Sequence, residues 1–326
     1  MNRICYGCGS TLQSEDKNAP GYIPAHKSDS PYCMRCFRMM HYGESNQGYE
    51  PKTTKEIIKR VNGDDKFVIF LCDFLNINQE VIDIYNSIKC DKLLVINKCE
   101  LIPDEVYKQK LSAYVRNEYH VDGDIKIKGG TKNHGVGSVY RYLMERDIHE
   151  TYVLGLSNSG KSTFINDLIT ANHSKVNKIN VNSKANTTLD FIKVKIDNYL
   201  TIIDSPGFVL ENSADTDAYD QYIKALTFNM KAGETLSVIN GKYYFNFSED
   251  TPINLFINGK GKHKKYFKEI ELNNDINLKE DDMDIIILGV GFIRVKNKCI
   301  VKTNVDKKYI EIRKSMFGNR LEEDDE

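Results

Sequence analysis

The stretch GLSNSGKST, Gly155 to Thr163, constrains the fold of this chain more than any other. It satisfies the pattern G-x-x-x-x-G-K-S between a run typical of a strand (TYVLGL) and one typical of a helix (KSTFINDLI). In that context the glycines let backbone N–H groups approach phosphates, Lys161 opposes their charge, and the Ser162 hydroxyl suits Mg²⁺. The alternative is a glycine turn that precedes a helix by chance. The residues predicted to bind nucleotide in this loop are Gly155, Asn158, Ser159, Gly160, Lys161, Ser162 and Thr163.

Residues 53–230 alternate apolar runs with amphipathic stretches. The apolar runs are KFVIFLCDF, KLLVIN, DIKIKG, TYVLGLS and LTIIDSPG, and helices are predicted at 79–89, 103–119, 137–146 and 161–170. Alternation of this kind predicts an α/β fold with a covered, mostly parallel sheet.

Two later segments are placed to complete a phosphate and Mg²⁺ site. TIIDSPG ends an apolar run with Asp204, which suits the surroundings of the metal, and Gly207, whose N–H can meet a γ-phosphate. Between this segment and the loop, NTTLD offers Thr187 and Thr188, one of which can give Mg²⁺ a second hydroxyl. A threonine pair is equally compatible with a β-rich surface.

A possible base-reading motif precedes the phosphate loop. LLVINKCEL ends a buried strand with Asn97, Lys98 and Glu100, which matches the N-K-x-D pattern that reads guanine, with Glu in place of Asp. A carboxylate at that position accepts hydrogen bonds from guanine N1–H and N2–H₂, which adenine lacks. The added methylene of Glu100 leaves the strength of guanine selectivity open, and Asn-Lys at a strand end also occurs by chance.

The motifs therefore run in the order base motif, phosphate loop, threonine loop and D-x-x-G. This order predicts a circularly permuted P-loop GTPase domain, because the termini of compact α/β domains often lie close enough to be rejoined. We expect a zinc-binding domain at 1–50, the permuted GTPase domain at 51–229 and a β-rich domain at 230–326. The last is predicted from short β-rich runs such as GKYYFNF, INLFING and DIIILGVGFIRV.

Four of the eight cysteines form two C-x-x-C pairs, namely Cys5 with Cys8 and Cys33 with Cys36. Four thiolates in two such knuckles form a closed tetrahedral Zn²⁺ site, which is structural because no coordination position remains for water. A redox dithiol or an iron–sulfur cluster is the alternative.

Charge and hydropathy exclude several classes of protein. Lys plus Arg number 45 against 46 Asp plus Glu, so the net charge attracts no polyanion and any nucleic-acid contact needs a local patch. The amino terminus has no secretory pattern and no run is long enough for a membrane helix, so we expect a cytoplasmic protein with no membrane partner.

Two basic patches are candidates for RNA contact. Arg35 and Arg38 surround the second knuckle, and GKGKHKKYFK in the β-rich region contributes Lys262, Lys264 and Lys265 beside aromatic residues. Lysines bind phosphates while an aromatic ring stacks on a base. A solvated basic face, or a mobile hairpin loop in the second case, explains the same residues.

Taken together, CYGCGSTLQ, APGYIP, YCMRCFRMMHY, NKCELIP, GLSNSGKST, NTTLDFIKV and DSPG resemble the circularly permuted GTPases of the YqeH type. The resemblance implies a GTPase switch, with GTP and GDP as ligands, that assists assembly of the small ribosomal subunit and contacts its rRNA. It places the Mg²⁺-binding threonine on Thr188 and, more loosely, the second base loop on Thr131 and Lys132 in GGTKNHGVG. Ala185-Asn186 stands where the family has Pro-Gly.

Hydrolysis is expected to depend on Lys161, Asn158 and Thr188. The position after Gly207, where many GTPases carry a water-orienting Gln, is Phe208, so we expect slow intrinsic turnover. The resemblance also implies that Asn158 helps to hold K⁺ near the phosphates; a plain turn residue is the alternative. The competing function is a zinc-anchored RNA-binding scaffold that barely turns over its nucleotide, and a metabolic P-loop kinase is disfavoured because the base motif matches GTPases.

Overall fold

A computed structural model describes residues 3–5, 10–17, 19–34, 36–37, 52–101, 105–129, 135–172, 191–214, 224–257, 261–266 and 272–317. The chain forms two compact units, each assembled from separated segments. The first comprises Met1–Asp73, Asp83–Cys99 and Gly123–Val209, and the second comprises Phe74–Ile82, Glu100–Asp122 and Leu210–Glu326. No helix within the described ranges combines the length and the apolar character that crossing a bilayer requires.

The first unit is built on a six-stranded sheet in the order β3-β2-β1-β4-β6-β5. All neighbours are parallel except β5 and β6, which form an antiparallel edge. The strands are β1 (Phe67–Asp73), β2 (Lys92–Asn97), β3 (Asp124–Ile127), β4 (Glu150–Gly155), β5 (Ile192–Lys195) and β6 (Thr201–Asp204). The predicted α/β sheet is confirmed, and its central strands β1 and β4 are buried along most of their length because both faces are covered.

The α-helices whose bounds the structure gives are α1 (Thr54–Asp64), α2 (Gln79–Asn86), α3 (Glu105–Tyr119), α4 (Val136–Glu145) and α5 (Lys161–Ala171). The last four match the predicted helices to within three residues at each end. α1 was not predicted, although its start carries a capping box between Thr53 and Glu56. The spacing T-x-x-E before an apolar pattern is a signal that would have predicted it.

Side chains from α4 and α5 form one apolar core with the sheet of the first unit. Val139 and Leu143 of α4, with Phe164 and Leu168 of α5, are fully buried against strand residues such as Val153. Burying such side chains stabilises the fold by about 1.5–3 kcal/mol each. The helix that carries the phosphate loop at its start is therefore held firmly on the sheet.

The second unit contains two five-stranded antiparallel sheets, in the orders β16-β13-β14-β10-β7 and β11-β8-β9-β15-β12. Their strands are β7 (Lys224–Met230), β8 (Thr235–Val238), β9 (Tyr243–Phe247), β10 (Thr251–Ile257), β11 (Lys264–Tyr266), β12 (Asn274–Asn277), β13 (Met283–Ile287), β14 (Gly291–Val295), β15 (Ile300–Thr303) and β16 (Ile310–Lys314). The predicted β-rich character of this region is confirmed. Phe245, Leu255 and Ile285 are among the buried residues of one core that draws on both sheets.

Candidate functional site

The three motifs lie at the same edge of the first unit's sheet. β4 leads into the phosphate loop, β2 into the base motif and β6 into D-x-x-G. β1 lies between β2 and β4, β6 lies on the other side of β4, and all of these neighbours are parallel. The register pairs Asp73 with Asn97 and Leu71 with Gly155 at the carboxyl ends of these strands. Ligands of open α/β sheets bind at the carboxyl ends of the strands, so the topology brings together motifs that are far apart in the sequence.

The glycines of the phosphate loop are required by close backbone approaches. Gly155 has φ of 151°, and a β-carbon there would lie 2.3 Å from the Leu71 carbonyl oxygen. Gly160 has φ of 93°, and its β-carbon would lie 2.4 Å from Asn97 Nδ2. Asn158 also has positive φ, at 65°, in the left-handed region that Asn tolerates better than most residues. The φ angles and close approaches within the loop therefore account for these residues without reference to any ligand.

Lys161 begins α5 and turns back over the loop. Its Nζ donates to the carbonyls of Gly155 at 3.0 Å and Leu156 at 2.9 Å, and the residue is only 8% exposed. Burial lowers the pKa of this amine to about 8, although the charge of nearby Asp204 acts in the opposite direction. The ammonium thus lies in the loop where phosphate oxygens would compete with the two carbonyls.

The base motif contacts the phosphate loop directly. Asn97, at the end of β2, is buried and donates from Nδ2 to the Ser159 carbonyl oxygen at 2.9 Å. The side-chain oxygen of Ser159 is itself buried and has no hydrogen-bond partner among the described residues. An orphaned polar atom of this kind is costly unless a ligand or water satisfies it, which fits a phosphate-binding loop.

The other base-motif residues occupy different environments. Lys98 has φ of 61° and forms an ion pair with Asp73, a residue that the sequence analysis did not single out. Glu100 lies in the short 3₁₀ turn Cys99–Leu101 and is exposed. Gly129, at the start of GGTKNHGVG, approaches Cys99, since a β-carbon on it would lie 3.0 Å from that residue. The candidates Thr131 and Lys132 fall outside the described residues.

The D-x-x-G segment is joined to the phosphate loop by its backbone. Ser157 N–H donates to the Phe208 carbonyl at 2.8 Å, and Phe208 N–H donates to the Gly155 carbonyl at 3.1 Å. Gly207 packs so tightly that a β-carbon would lie 2.6 Å from Ser157 Oγ. The Phe208 ring is buried and stacks on Phe70, with centroids 5.9 Å apart. Phe208 is therefore a core residue.

Two of the three predicted Mg²⁺ ligands, Asp204 and Ser162, lie in the described part of the chain. Asp204 is fully buried at the end of β6, and Ser162 lies half-buried in the first turn of α5. A carboxylate and a hydroxyl are the oxygen ligands that Mg²⁺ prefers beside nucleotide phosphates, so the donor set fits. Thr163 follows on the exposed side of the same turn. The threonine candidates Thr187 and Thr188 fall outside the described residues.

Three of the four predicted zinc ligands come together. The sulfur atoms of Cys5, Cys33 and Cys36 lie within 4.8 Å of one another, and all three residues are buried. Cys33 N–H donates to Cys5 Sγ at 3.1 Å, a contact that stabilises a thiolate. The cluster suits a soft metal such as Zn²⁺. The fourth predicted ligand, Cys8, falls outside the described residues.

The basic candidates of the second unit are all exposed but differ in their contacts. Lys264 and Lys265 lie on β11, and Lys262 lies just before it. All three lysines are exposed, and the Lys265 ammonium also donates to the Asn229 carbonyl at 2.9 Å and lies 3.3 Å from Glu234. Part of the stretch interpreted as a possible mobile loop is thus an edge strand. Arg35 and Arg38 fall outside the described residues.

The strand order and the convergence of the three motifs define a P-loop GTPase domain in circularly permuted order. Residues 150–258 match the family model described as 50S ribosome-binding GTPase. The matched segment begins at β4 and therefore leaves out the base motif, which precedes it. The predicted resemblance to the YqeH type is confirmed. The chain is 28% identical to the uncharacterized protein YqeH of Bacillus subtilis over 216 residues, which cover 63% of this chain and 59% of that protein.

Two other proteins are also similar. The GTPase grn1 of Schizosaccharomyces pombe is 25% identical over 209 residues, covering 58% of this chain and 42% of that protein. The crystal structure of YjeQ from Thermotoga maritima covers 44% of this chain and 48% of its own, with 23% sequence identity and a TM-score of 0.31. This chain spans less than two thirds of the length of YqeH and of grn1.

Proposed function

We propose that this protein is a GTP-binding and GTP-hydrolysing switch that assists assembly of the small ribosomal subunit. The proposal that the protein binds a nucleotide is supported by the hydrogen bond from Asn97 to the Ser159 carbonyl, because this bond joins the base motif to the phosphate loop. A base and a triphosphate bound at these two motifs belong to a single nucleotide. Titration of the protein with GTP, GDP and ATP tests this part, and equal affinity for ATP and GTP would refute guanine recognition.

Guanine recognition is assigned to Asn97, Lys98 and Glu100. The Glu100 carboxylate accepts from guanine N1–H and N2–H₂, and adenine would leave that carboxylate without donors. Thr131 and Lys132 are proposed to complete the base pocket. The variant Glu100→Ala should lose preference for GTP over ATP, whereas Glu100→Asp, which restores the common motif, should keep or sharpen it.

Hydrolysis is proposed to proceed by attack of water on the γ-phosphorus, with cleavage of the bond to the β–γ bridging oxygen and release of GDP and phosphate. Mg²⁺, when bound, neutralises charge on the β- and γ-phosphate oxygens. Ser162, Asp204 and Thr188 are the residues proposed to hold it. Lys161 leaves the loop carbonyls and donates to phosphate oxygens, where it stabilises the charge that develops on the transferring group.

Slow intrinsic turnover and stimulation by K⁺ complete the proposed reaction. The Phe208 ring is packed on Phe70, so this position offers no side chain that orients the attacking water. Asn158, in the left-handed region at the tip of the loop, is the residue proposed to bring K⁺ near the phosphates. Turnover measured in K⁺ and in Na⁺ at equal ionic strength tests the idea, and equal rates would rule out K⁺ stimulation.

The ribosomal partner is proposed from the YqeH resemblance, which implies the small subunit, whereas the matching family model is described as 50S-binding. Co-sedimentation with separate small- and large-subunit particles, in a GTP analogue and in GDP, distinguishes the two. We expect binding to small-subunit precursors in the GTP-analogue state. Binding only to large-subunit particles would overturn the small-subunit assignment and leave the GTPase intact.

RNA contact is proposed for Arg35, Arg38, Lys262, Lys264 and Lys265. The sharpest test uses Lys262→Glu with Lys264→Glu, because Lys265 also contacts Glu234 and its reversal would disturb folding. Exposed Lys307→Glu on the same unit is the matched control. Loss of rRNA affinity in the double variant but not in the control supports the site.

The alternative of a scaffold without turnover is not favoured, because the chain has the P-loop GTPase domain.

A further inference from the structure

Asp73 ends β1, between the strand of the base motif and the strand of the phosphate loop. β1 pairs with β2 on one side and β4 on the other, and the register places Asp73 beside Asn97. The residue is 2% exposed, although carboxylates are rarely buried so completely without an ionic partner. Its position at the carboxyl edge of the central strand puts this charge beside the candidate site.

An ionic partner of Asp73 belongs to the base motif. Asp73 Oδ2 forms an ion pair with Lys98 Nζ, and the Lys98 side chain is 21% exposed. Lys98 also has φ of 61°, a left-handed conformation that costs a non-glycine residue free energy and persists only where surrounding contacts impose it. Lys98 thus combines a strained backbone conformation with the ion pair to Asp73.

We infer that Asp73 is a positioning residue for nucleotide binding, acting through Lys98. A lysine side chain has four rotatable bonds, and ordering it on binding costs conformational entropy. The buried carboxylate fixes the ammonium beforehand, so that the Lys98 stem is already placed when the base and ribose arrive. This inference rests on the proposed function, because it assigns Lys98 to the base side of a guanine nucleotide.

If Asp73 assists binding of the base and ribose, its loss should change the affinities of three ligands in a characteristic way. The base and ribose are common to GTP and GDP, so the loss of Asp73 should weaken both nucleotides by the same factor. Inorganic tripolyphosphate contacts the phosphate loop but has no base, so its affinity should be unchanged. A purely structural role for Asp73 would lower all three affinities, or would lower only the stability of the fold.

The experiment measures the affinities of GTP, GDP and tripolyphosphate, each with Mg²⁺, for the full chain and for four variants. The variants are Asp73→Asn, Lys98→Met, the double variant of these two, and Asp124→Asn. Asp124 is the matched control, because it pairs with Arg146 at 2.9 Å at the amino end of β3, the opposite edge of the sheet. Urea unfolding of each variant identifies losses that come from instability.

We expect Asp73→Asn to weaken GTP and GDP alike by about tenfold, because a charge-assisted hydrogen bond to Lys98 is lost. The double variant should be no weaker than Lys98→Met, since Asp73 acts through that side chain. The control should stay within about twofold of the wild type, as exposed ion pairs contribute little. Unchanged GTP affinity in Asp73→Asn, additive losses in the double variant, or an equal loss for tripolyphosphate would each overturn the inference. A wild-type chain without guanine-nucleotide affinity would overturn the proposed function as well.

Discussion

The Nδ2 atom of Asn97 lies 2.4 Å from the place that a β-carbon on Gly160 would occupy. The glycine therefore has two functions, because it allows φ of 93° and leaves room for the amide that reaches the phosphate loop. Any side chain at position 160 must displace either the loop or the base-motif asparagine. The base motif and the phosphate loop are thus coupled by a steric requirement as well as by a hydrogen bond.

Replacing Gly160 with alanine should abolish GTP binding and lower the unfolding temperature. The methyl group combines an unfavourable φ with a clash against the buried side-chain amide of Asn97, and each effect costs on the order of 1 kcal/mol or more. Gly137→Ala is the control, since Gly137 lies in α4 with nothing within 4 Å of an added β-carbon. That change should be neutral or stabilise the helix by up to about 1 kcal/mol. Equal losses in both variants would contradict the steric account.

Truncating Asn97 to alanine should weaken GTP by about tenfold while the fold persists. The change removes the donor to the Ser159 carbonyl, leaving a buried acceptor unsatisfied at a cost of about 1–3 kcal/mol. Fluorescence titration with a labelled GTP measures the affinity, and circular dichroism checks the fold. Wild-type affinity in this variant would mean that the contact does not organise the site.

Lys161 predicts a specific pH dependence. Burial places the pKa of this amine at about 8, below its ordinary value of 10.5, so the unfolded chain binds more protons between these two pH values. The stability of the nucleotide-free protein should therefore rise with pH through this window, by up to about 3 kcal/mol. Urea unfolding at several pH values measures it against Lys161→Met, which should lack this component; identical slopes in the two proteins would contradict it.

The same amine should make GTP affinity fall as pH rises past about 8. Phosphate oxygens favour the protonated ammonium, so above that pH the Lys161 amine must take up a proton when the nucleotide binds. Isothermal titration calorimetry in buffers of different ionisation enthalpy detects this proton directly. Lys161→Met should bind GTP weakly and without proton uptake from this group.

Zinc removal should unfold the amino-terminal segment. Among the described residues, the buried apolar cluster there consists of Cys5, Ile23, Cys33 and Cys36, with Leu12 and Tyr32 packed against it. Such a small core does not offset chain entropy without a metal. Metal analysis should find stoichiometric zinc, and Cys33→Ser should lose both the metal and hydrogen-exchange protection in this segment. Visible absorbance with bound iron would instead identify an iron–sulfur cluster.

Phe208→Ala should destabilise the protein by about 3–5 kcal/mol, because it empties a fully buried site next to Phe70. Phe208→Gln should not restore fast hydrolysis, since the buried amide would lack hydrogen-bond partners and would not reach a water. Chemical denaturation and GTPase assays on both variants separate the two effects. Accelerated turnover in Phe208→Gln would show that position 208 does face the nucleotide.

Much of the sheet was predictable because its signals are local. The apolar runs around Phe67–Asp73 and Glu150–Gly155 and the glycine pattern of the loop specify strands and a strand-to-helix turn without reference to distant residues. The convergence of the base motif with the loop was predicted from motif chemistry, since a site for one nucleotide requires the two motifs to meet. Elements with weak periodicity, such as β12, were missed because their pairing depends on a partner strand distant in the sequence.

The ion pair of Asp73 with Lys98 could not be predicted from the sequence. A single carboxylate at the end of an apolar run is compatible with a helix cap, a turn or an exposed strand end. Only the register of β1 and β2 and the left-handed turn at Lys98 give it an ionic partner. Likewise, Lys265 resembles its neighbours in sequence, and only the fold brings it to Glu234.

The placement of β4 between β1 and β6 has a consequence for biosynthesis. Translation completes β1, β2 and β3 before β4 exists, so the nascent half-sheet emerges with the side of β1 that pairs with β4 open. Unpaired apolar strand edges are the sites at which growing chains aggregate. We therefore expect slower elongation between Asp73 and Glu150 to prolong that exposure and to lower the yield of folded protein.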